Sequence, residues 1–421
     1  MARPAFAAAA AALMFLGVAA CGDDDDDGGS SATTAGGATT TVGGATTTAG
    51  GATTTAGGGA AGEPIVIGAA VAQSGGFELY DNEVIKGMQY VMDRINAEGG
   101  VNGRMFELVI ADHKTDPAQV ESATREVLDE GADVVVTTAD YDFGAAAALA
   151  AQEAGKVSMG GAGAVQFGKA GLGPLHFNVF QGTSTEVAVM AQYAKDQGYE
   201  RPYLLSDTSI EYSKTVCDLF EPAWTALGGE IAGKQTFLSS DPSIANQVSA
   251  VSGSDADVVI MCSYPPGGAS AIRQVRTAGV DLPIIGGAAF DGTFWLEAIP
   301  DLSDFYYPTM VSSAGDDPSA AVNEFLAAVD PAGGAIYSLF GYSIIESIAA
   351  ALEMNGGDAD GAALAAAIET FNEQALLVGP TTYTADCHVP LGRPMAVLEI
   401  QDGQPSFIEY STAEELPDTT C

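Results

Sequence analysis

The chain has 421 residues, of which 55 are Asp or Glu and only 15 are Lys or Arg, so its formal net charge at pH 7 is −40. This balance excludes a nucleic-acid-binding protein, because contacts with phosphate need clustered Lys and Arg. The hydrophobic share of 47% and the charged share of 17% exclude a chain that is disordered throughout. The acidity fits solubility in a salty medium and also repulsion from an anionic membrane surface.

The N-terminus has the layout of a secretion signal. Arg3 precedes an apolar run from Ala5 to Val18, which is too short to span a bilayer as a mature helix. The VAAC motif that ends at Cys21 resembles the bacterial lipobox, in which the Cys thiol accepts a diacylglyceryl group. The resemblance implies removal of residues 1–20 and a lipidated Cys21 that anchors the protein to the outer face of the cell membrane. The alternative is an ordinary signal peptide with a Cys at its cleavage site.

Residues 21–62 are predicted to be a lipidated Cys followed by a disordered tether. The tether opens with the Asp run 23–27 and continues as a Gly, Ala and Thr tract without hydrophobic periodicity. The Asp run lacks the ligand spacing, the Gly turn and the closing Glu of a calcium loop. It is therefore interpreted as a solvated charge block.

From residue 63 onward, short apolar runs alternate with helical patterns. The apolar runs predict strands at Ile65 to Val71, Phe106 to Ala111, Asp133 to Thr137, Pro202 to Ser206, Asp257 to Cys262 and Leu282 to Ile285. Helical periodicity predicts helices at Glu83 to Ala97, Pro117 to Glu130, Gly144 to Ala154, Thr185 to Gln197, Tyr212 to Ala226 and Ala269 to Ala278. This alternation is typical of an α/β fold with parallel sheets. Two such series, before and after about residue 181, predict two doubly wound lobes with a ligand site beyond the carboxyl ends of their strands.

The chain lacks the common motifs of enzymes. Its three His residues, His113, His176 and His388, are not flanked by a recognisable nucleophile motif, and no G-x-S-x-G, H-E-x-x-H or C-x-x-C is present. The segment from Gly163 to Ala170 matches a phosphate loop except at Ala170, which lacks the hydroxyl that would hold magnesium. We therefore expect no catalysis, no metal and no other cofactor.

Four Cys residues remain beyond the lipidation site, an even number that indicates disulfides in an exported protein. Three pairings are possible. We favour Cys387 with Cys421, which would clamp the C-terminal tail at 412–421. The other favoured pair is Cys217 with Cys262, from neighbouring strand–helix units. The alternative is four free buried thiols.

Eight motifs in order carry a family resemblance. They are IVIGAAVAQSGGFELYD from Ile65, INAEGGVNGR from Ile95, ADHKTDPAQVESATREVLDEGADVVV from Ala111, the loop from Tyr141 to Gly144, SDTSIEYSK from Ser206, AIRQVRTAGV from Ala271, IIGGAAFDG from Ile284 and VGPTTYT from Val378. Through these motifs the chain resembles the leucine/isoleucine/valine-binding branch of the type I periplasmic binding proteins, the receptors of ABC importers. The resemblance extends from Ile65 to about Ser411.

The resemblance implies two doubly wound lobes joined by a three-segment hinge. Lobe 1 would comprise residues 63–181 and 314–378, and lobe 2 residues 182–313 and 379–411. A small solute would bind in the cleft between the lobes, and hinge closure would bury it. The implied function is an extracytoplasmic, monomeric solute-binding lipoprotein that works with ABC permease subunits. The alternative is a ligand-sensing receptor of the same fold that signals to a partner.

The resemblance also implies a set of ligand-binding residues. Two loops, Tyr141 to Gly144 and Gly161 to Ala164, match family positions that hold a ligand carboxylate. The site residues expected from them are Tyr141, Asp142, Phe143, Gly163 and Ala164. Ligand-facing aromatic positions are matched by Tyr80, Tyr212 and Tyr264.

One position departs from the family pattern. Where the family has Phe-Arg and then an Asp that accepts the ligand ammonium, this chain has Phe177-Asn178 and then Thr183. A neutral Thr stabilises an ammonium group less than a carboxylate does. Asp291 or Asp142 could replace the missing acid. The expected ligand is a branched-chain or other hydrophobic amino acid or a related amide, while a urea-like compound or an aromatic acid would need no ammonium acceptor.

Overall fold

The structure, a computed structural model, describes residues 62–331, 333–413 and 415–421. The predicted signal peptide, Cys21 and all of the tether except Gly62 lie outside these residues.

The first sheet has five parallel strands in the order β2-β1-β3-β4-β5. The strands are β1 (Ile65–Val71), β2 (Phe106–Asp112), β3 (Val134–Thr137), β4 (Val157–Gly160) and β5 (His176–Asn178). The helices between them are α1 (Glu78–Ala97), α2 (Pro117–Asp129), α3 (Tyr141–Glu153) and α4 (Lys169–Leu172). Helix α2 shows how the sequence sets a boundary: Pro117 occupies its first turn, and the Asp116 side chain accepts a hydrogen bond from the amide of Ala118.

The second sheet has seven strands and is mixed. Its parallel strands are β6 (Pro202–Asp207), β7 (Gly233–Phe237), β8 (Val258–Cys262), β9 (Ile284–Gly286) and β10 (Phe305–Thr309). A two-stranded hairpin of β11 (Gln374–Leu376) and β12 (Gly379–Thr381) precedes β13 (Met395–Gln401) and β14 (Gln404–Ser411). Strand β13 runs antiparallel to both β10 and β14, and the sheet order is β14-β13-β10-β9-β8-β6-β7.

Seven helices accompany the second half of the chain. They are α5 (Gly182–Asp196), α6 (Glu211–Ala226), α7 (Ala245–Ser252), α8 (Gly267–Thr277), α9 (Ala320–Val329), α10 (Ala335–Asn355) and α11 (Gly361–Ile368). Helices α5 to α8 cover the second sheet, whereas α9 and α10 pack on α1, and α11 lies against α10 and β4. The chain thus passes between the two sheets after β5, after β10 and again before β13. The prediction of two α/β lobes with parallel sheets is confirmed, and the antiparallel edge of the second sheet is an addition that the sequence analysis did not predict.

Helix α10 is long and apolar enough to cross a bilayer by length and composition alone. In this fold most of its residues are buried, since it packs on α1 and α11. Its apolar side chains therefore form part of the hydrophobic core of the first lobe.

The described part of the chain contains two disulfides. Cys217 of α6 is joined to Cys262 of β8, and Cys387 is joined to Cys421 at the C-terminus. These are the pairs favoured from the sequence. The second bond holds the C-terminal residue beside α4, where the Cys421 carbonyl accepts a hydrogen bond from the amide of Ala170 at 2.8 Å.

Candidate ligand-binding site

A cavity of about 470 Å³, counting solvent at its mouth, lies among the loops that follow the strands of the two sheets. These loops are where ligands bind in parallel α/β folds. Seven lining side chains are aromatic, and they are Phe77, Tyr80, Phe180, Tyr212, Tyr264, Tyr337 and Phe340. Most other lining residues are Gly, Ala or Ile. A largely apolar wall with a few polar groups is typical of small-molecule sites.

Two glycines let the loop after β4 form part of the wall with its backbone. A β-carbon on Gly163 would lie 2.2 Å from the ring of Tyr212, and one on Gly161 would lie 2.4 Å from the ring of Phe340. Neither position has room for a side chain, so the backbone of this loop lies directly against the aromatic rings.

Asp140 is the one charged residue on the wall within the described part of the chain. It precedes α3, and its carboxylate accepts a hydrogen bond from the backbone N–H group of Asp142 at 2.9 Å. This bond caps the helix. Burial, followed by the nearby charge of Asp142, raises the pKa of Asp140 to about 7.

A second acid lies behind the opposite wall. The Tyr212 hydroxyl donates to Oε1 of Glu186 at 2.6 Å, and the same oxygen accepts from the amide of Ala288 at 2.6 Å. The Tyr212 hydroxyl in turn accepts from the amide of Ala289 at 3.3 Å. Burial raises the pKa of Glu186 to about 7. This network fixes the position of the Tyr212 ring on the wall.

The structure brings four of the ten ligand-binding residues predicted from the sequence to the cavity wall. They are Tyr80, Gly163, Tyr212 and Tyr264. Ala164 is buried next to this wall without lining it. Tyr264 lies in the loop after β8 and is partly buried.

The three predicted residues at the start of α3 lie outside the wall. Phe143 packs on Phe77, with ring centroids 4.8 Å apart, and so supports the wall from behind. The exposed Asp142 carboxylate accepts a hydrogen bond from the amide of Glu211, at the start of α6, at 2.9 Å. Tyr141 packs edge-on against Phe167. Asp142 thus makes a hydrogen bond to the other lobe.

Asp291 and Thr183 also lie off the wall, for different reasons. Asp291 is fully buried, and its carboxylate accepts from the Ser313 hydroxyl at 2.5 Å and from the amide of Ile336 at 2.7 Å, at the start of α10. These hydrogen bonds hold the Asp291 side chain in the protein interior, so it does not line the cavity. Thr183 is fully buried in α5, and its hydroxyl has no hydrogen-bond partner among the described residues.

Several wall residues were missed from the sequence. Asp140 had a visible signal, since an Asp between an apolar strand and a helix is a common helix cap. Tyr337 and Phe340 belong to α10, which was not predicted, and no local pattern indicates that they face a ligand. Glu186, which supports the wall from behind, was also missed, because an acid in a helix is usually exposed to solvent.

The three His residues have structural partners away from the wall. His176 contacts the Ser158 hydroxyl at 2.9 Å, and His388 contacts Glu369 at 2.9 Å. His113 contacts the hydroxyl of Thr138. Within residues 62–331, 333–413 and 415–421, no group of three or more His, Cys, Asp or Glu side chains is placed to hold a metal ion.

Comparison with known proteins identifies the family. A family model described as a periplasmic binding protein matches residues 64–405. The chain is 26% identical over 329 residues to the Leu/Ile/Val-binding protein BraC3 of Rhizobium johnstonii, an alignment that covers 76% of this chain and 87% of that protein.

Solved structures share the fold. The branched-chain amino acid transporter substrate binding protein LivJ of Streptococcus pneumoniae, in complex with isoleucine, gives a TM-score of 0.73 at 23% identity, covering 83% of this chain and 99% of that one. An ABC transporter solute binding protein from R. palustris, in complex with benzoate, gives 0.71 at 18% identity and covers 85% and 98%. Because the family model spans well over half of its length, the chain belongs to the periplasmic binding protein family, which implies a location outside the cytoplasm.

Proposed function

We propose that the chain is the solute-binding lipoprotein of an ABC importer and that it takes its ligand into the aromatic cavity between the two lobes. The observation that carries this proposal is the cavity itself, which lies where strand-end loops of both sheets meet. Binding and delivery of a solute need no chemical step.

The ligand is a small solute with an apolar body. Aromatic rings supply most of the wall, so burial of apolar ligand surface provides the main binding free energy. A hydrophobic amino acid is one candidate, supported by the names of the Leu/Ile/Val-binding relative and of the isoleucine complex. A related amide is another, since Thr183 stands where the resemblance implies an acid.

Hinge closure would bury the ligand between lobe 1, at 63–181 and 314–378, and lobe 2, at 182–313 and 379–411. Two contacts between the lobes support this motion. The Tyr80 hydroxyl of α1 donates to the carbonyl of Pro265, in the loop after β8. Asp142 accepts from the amide of Glu211. Opening would break both contacts, and a ligand that touches both walls would oppose it.

The function is tested by thermal unfolding of the purified chain against amino acids, amides, ureas and aromatic acids. A ligand at 100 times its Kd stabilises the folded state by about 2.7 kcal/mol, which raises the Tm by several degrees. The substitution Tyr264→Ala should weaken binding of the active compound more than about tenfold, since it removes an aromatic wall without touching the core. Leu238→Ala, at an exposed site on the same lobe, should not. If no compound raises the Tm, the receptor function fails.

The lipid anchor is a separate part of the proposal. Cys21→Ser removes the thiol that would accept the lipid, so the protein should move from the membrane fraction to the soluble extracytoplasmic fraction. Continued membrane association of this variant would argue against lipidation at Cys21.

A further inference from the structure

Four buried carboxylates surround the proposed ligand site. Asp140 lines it, and Glu186 lies behind Tyr212. Asp81 lies behind the loop after β3, where it accepts hydrogen bonds from the amide of Ala139 at 3.1 Å and from the Thr138 hydroxyl. Asp291 accepts from the first turn of α10. Among the residues that the structure describes, no Lys, Arg or His lines this cavity.

Three backbone donors beside the cavity are already in use. The amide of Asp142, in the first turn of α3, donates to Asp140, and the amide of Ala288 donates to Glu186. The amide of Ile336, at the start of α10, donates to Asp291. Each of these helix or loop N-termini could hold an anion, yet each already binds a carboxylate of the protein. An anionic group on a ligand would therefore be repelled by the buried carboxylates and could not accept hydrogen bonds from these amides.

The aromatic wall also favours positive charge. The faces of Tyr and Phe rings attract cations, and the attraction is stronger in sites shielded from water. Tyr80 and Tyr337 lie side by side on the wall, with ring centroids 4.8 Å apart. Two buried acceptors near this region have no partner among the described residues, the hydroxyl of Thr183 and Oε2 of Glu186. A β-carbon on the wall residue Gly163 would lie only 2.9 Å from the Thr183 hydroxyl.

Resting on the proposed function, we propose that the ligand of this site is an organic monocation, an alkylamine or arylalkylamine without a carboxylate. Its ammonium group pairs with Asp140, and its apolar body lies against the aromatic rings. The amine supplies the positive charge that the acids around the cavity lack. A zwitterionic amino acid would bring the same ammonium together with a carboxylate that the wall repels.

The test measures binding of two shape-matched series to the purified full chain by calorimetry at about pH 8. One series is 3-methylbutylamine, leucine, 4-methylpentanoate and 4-methylpentanamide. The other is 2-phenylethylamine, phenylalanine, 3-phenylpropanoate and 3-phenylpropanamide. In at least one series the amine should bind about tenfold or more tightly than each of its three relatives, a difference of about 1.4 kcal/mol.

The substitution Asp140→Asn isolates the charge. Asn caps a helix about as well as Asp, so α3 should keep its start while the wall loses its negative charge. Amine affinity should fall about tenfold or more. Asp116→Asn makes the same change at the cap of α2, away from the cavity, and should leave amine affinity unchanged.

The outcomes separate this inference from the receptor function. Tighter binding of an amino acid, acid or amide than of the matching amine in both series overturns the cation inference and leaves the receptor function standing. Unchanged amine affinity in Asp140→Asn also overturns it. If none of the eight compounds binds, the cation inference is overturned, and the receptor function then depends on the wider thermal panel.

Discussion

At the scale of single residues, the site is organised by acids that are buried without a basic partner. Glu186 is an example, because its Oε1 accepts from both Tyr212 and Ala288 and thereby positions the wall. The ionised form of such a group loses the solvation that water would provide. The position of the Tyr212 ring on the wall therefore depends on the protonation state of Glu186.

Replacing Glu186 with Gln should stabilise the chain at high pH. The pKa of Glu186 is about 7 in the folded protein, above its ordinary value of 4.5. The folded state consequently holds a proton that the unfolded chain has lost, and its stability falls as the pH rises from about 4.5 through about 7. Gln keeps the acceptor oxygen and removes this loss. The Tm of Glu186→Gln relative to wild type should be at least about 2 °C higher at about pH 8.5 than at about pH 5.5.

The control for this experiment is Glu353→Gln, at an exposed site on α10, which removes one negative charge from the chain without changing the site. Scanning calorimetry at both pH values measures each difference. A Tm difference for Glu186→Gln that does not change with pH would contradict an ionisable buried Glu186.

The sequence predicted some wall residues correctly and others wrongly, and the difference has a physical reason. Tyr80, Tyr212 and Tyr264 lie in loops or first helical turns after strands, so the topology of a parallel fold and the family resemblance together point to the wall. Asp291 also follows a strand, but its carboxylate turns toward α10. Sequence position indicates which loop a residue occupies, whereas the side-chain direction depends on partners distant in the chain.

At the scale of elements, six of the ten described strands that pair in parallel were predicted, and β4, β5, β7 and β10 were missed. Strand β1 has the predicted bounds, because a continuous apolar run that begins after a Pro is typical of a strand buried on both faces. Helix α1 begins at Glu78, five residues before the predicted start at Glu83, since its first turn carries the exposed Leu79 and breaks the apolar periodicity. Strands β13 and β14 were missed because an antiparallel pair at a sheet edge interrupts the alternation of strands and helices.

The packing of α1 against α10 depends on glycine. A β-carbon on Gly87 would lie 1.9 Å from the carbonyl oxygen of Ser338, and one on Gly341 would lie 1.9 Å from the carbonyl oxygen of Val84. The two helices can therefore come this close only because both positions are glycine and have no side chain. Because α10 also supplies Tyr337 and Phe340 to the cavity, this contact positions part of the ligand wall.

Gly87→Ala should destabilise the chain although alanine is the better helix former. Higher helix propensity would contribute about 1 kcal/mol of stability. The clash with a backbone carbonyl at 1.9 Å forces the helices apart and should cost about 2–3 kcal/mol, the upper part of the range for overpacking. We expect a net loss of about 1–2 kcal/mol in the free energy of unfolding, measured by urea denaturation. Gln89→Ala, at an exposed position of the same helix, should change stability by less than about 0.5 kcal/mol. Equal stability of the Gly87 variant and wild type would contradict the close approach.

At the scale of the whole molecule, hydrogen bonds join the two lobes near the cavity. Tyr80 contacts the loop after β8, and Asp142 contacts the start of α6. Tyr80 also lines the cavity, so a change there would alter ligand contacts and lobe contacts together. Asp142 does not line it. A substitution of Asp142 can therefore test the closure of the lobes without changing the ligand contacts.

Asp142→Ala should shift the ligand-free chain toward an open form. The exposed carboxylate holds the amide of Glu211 across the cleft at 2.9 Å, and a hydrogen bond of this kind contributes about 1 kcal/mol. Its loss changes the ratio of closed to open molecules about fivefold. Small-angle X-ray scattering should then give a larger radius of gyration for Asp142→Ala than for wild type. Glu153→Ala, an exposed acid in the last turn of α3, removes the same charge without touching the other lobe and should match wild type. Identical radii for all three proteins would show that this bond does not hold the lobes together, and closure would then depend on the Tyr80 and Asp291 contacts and on the ligand.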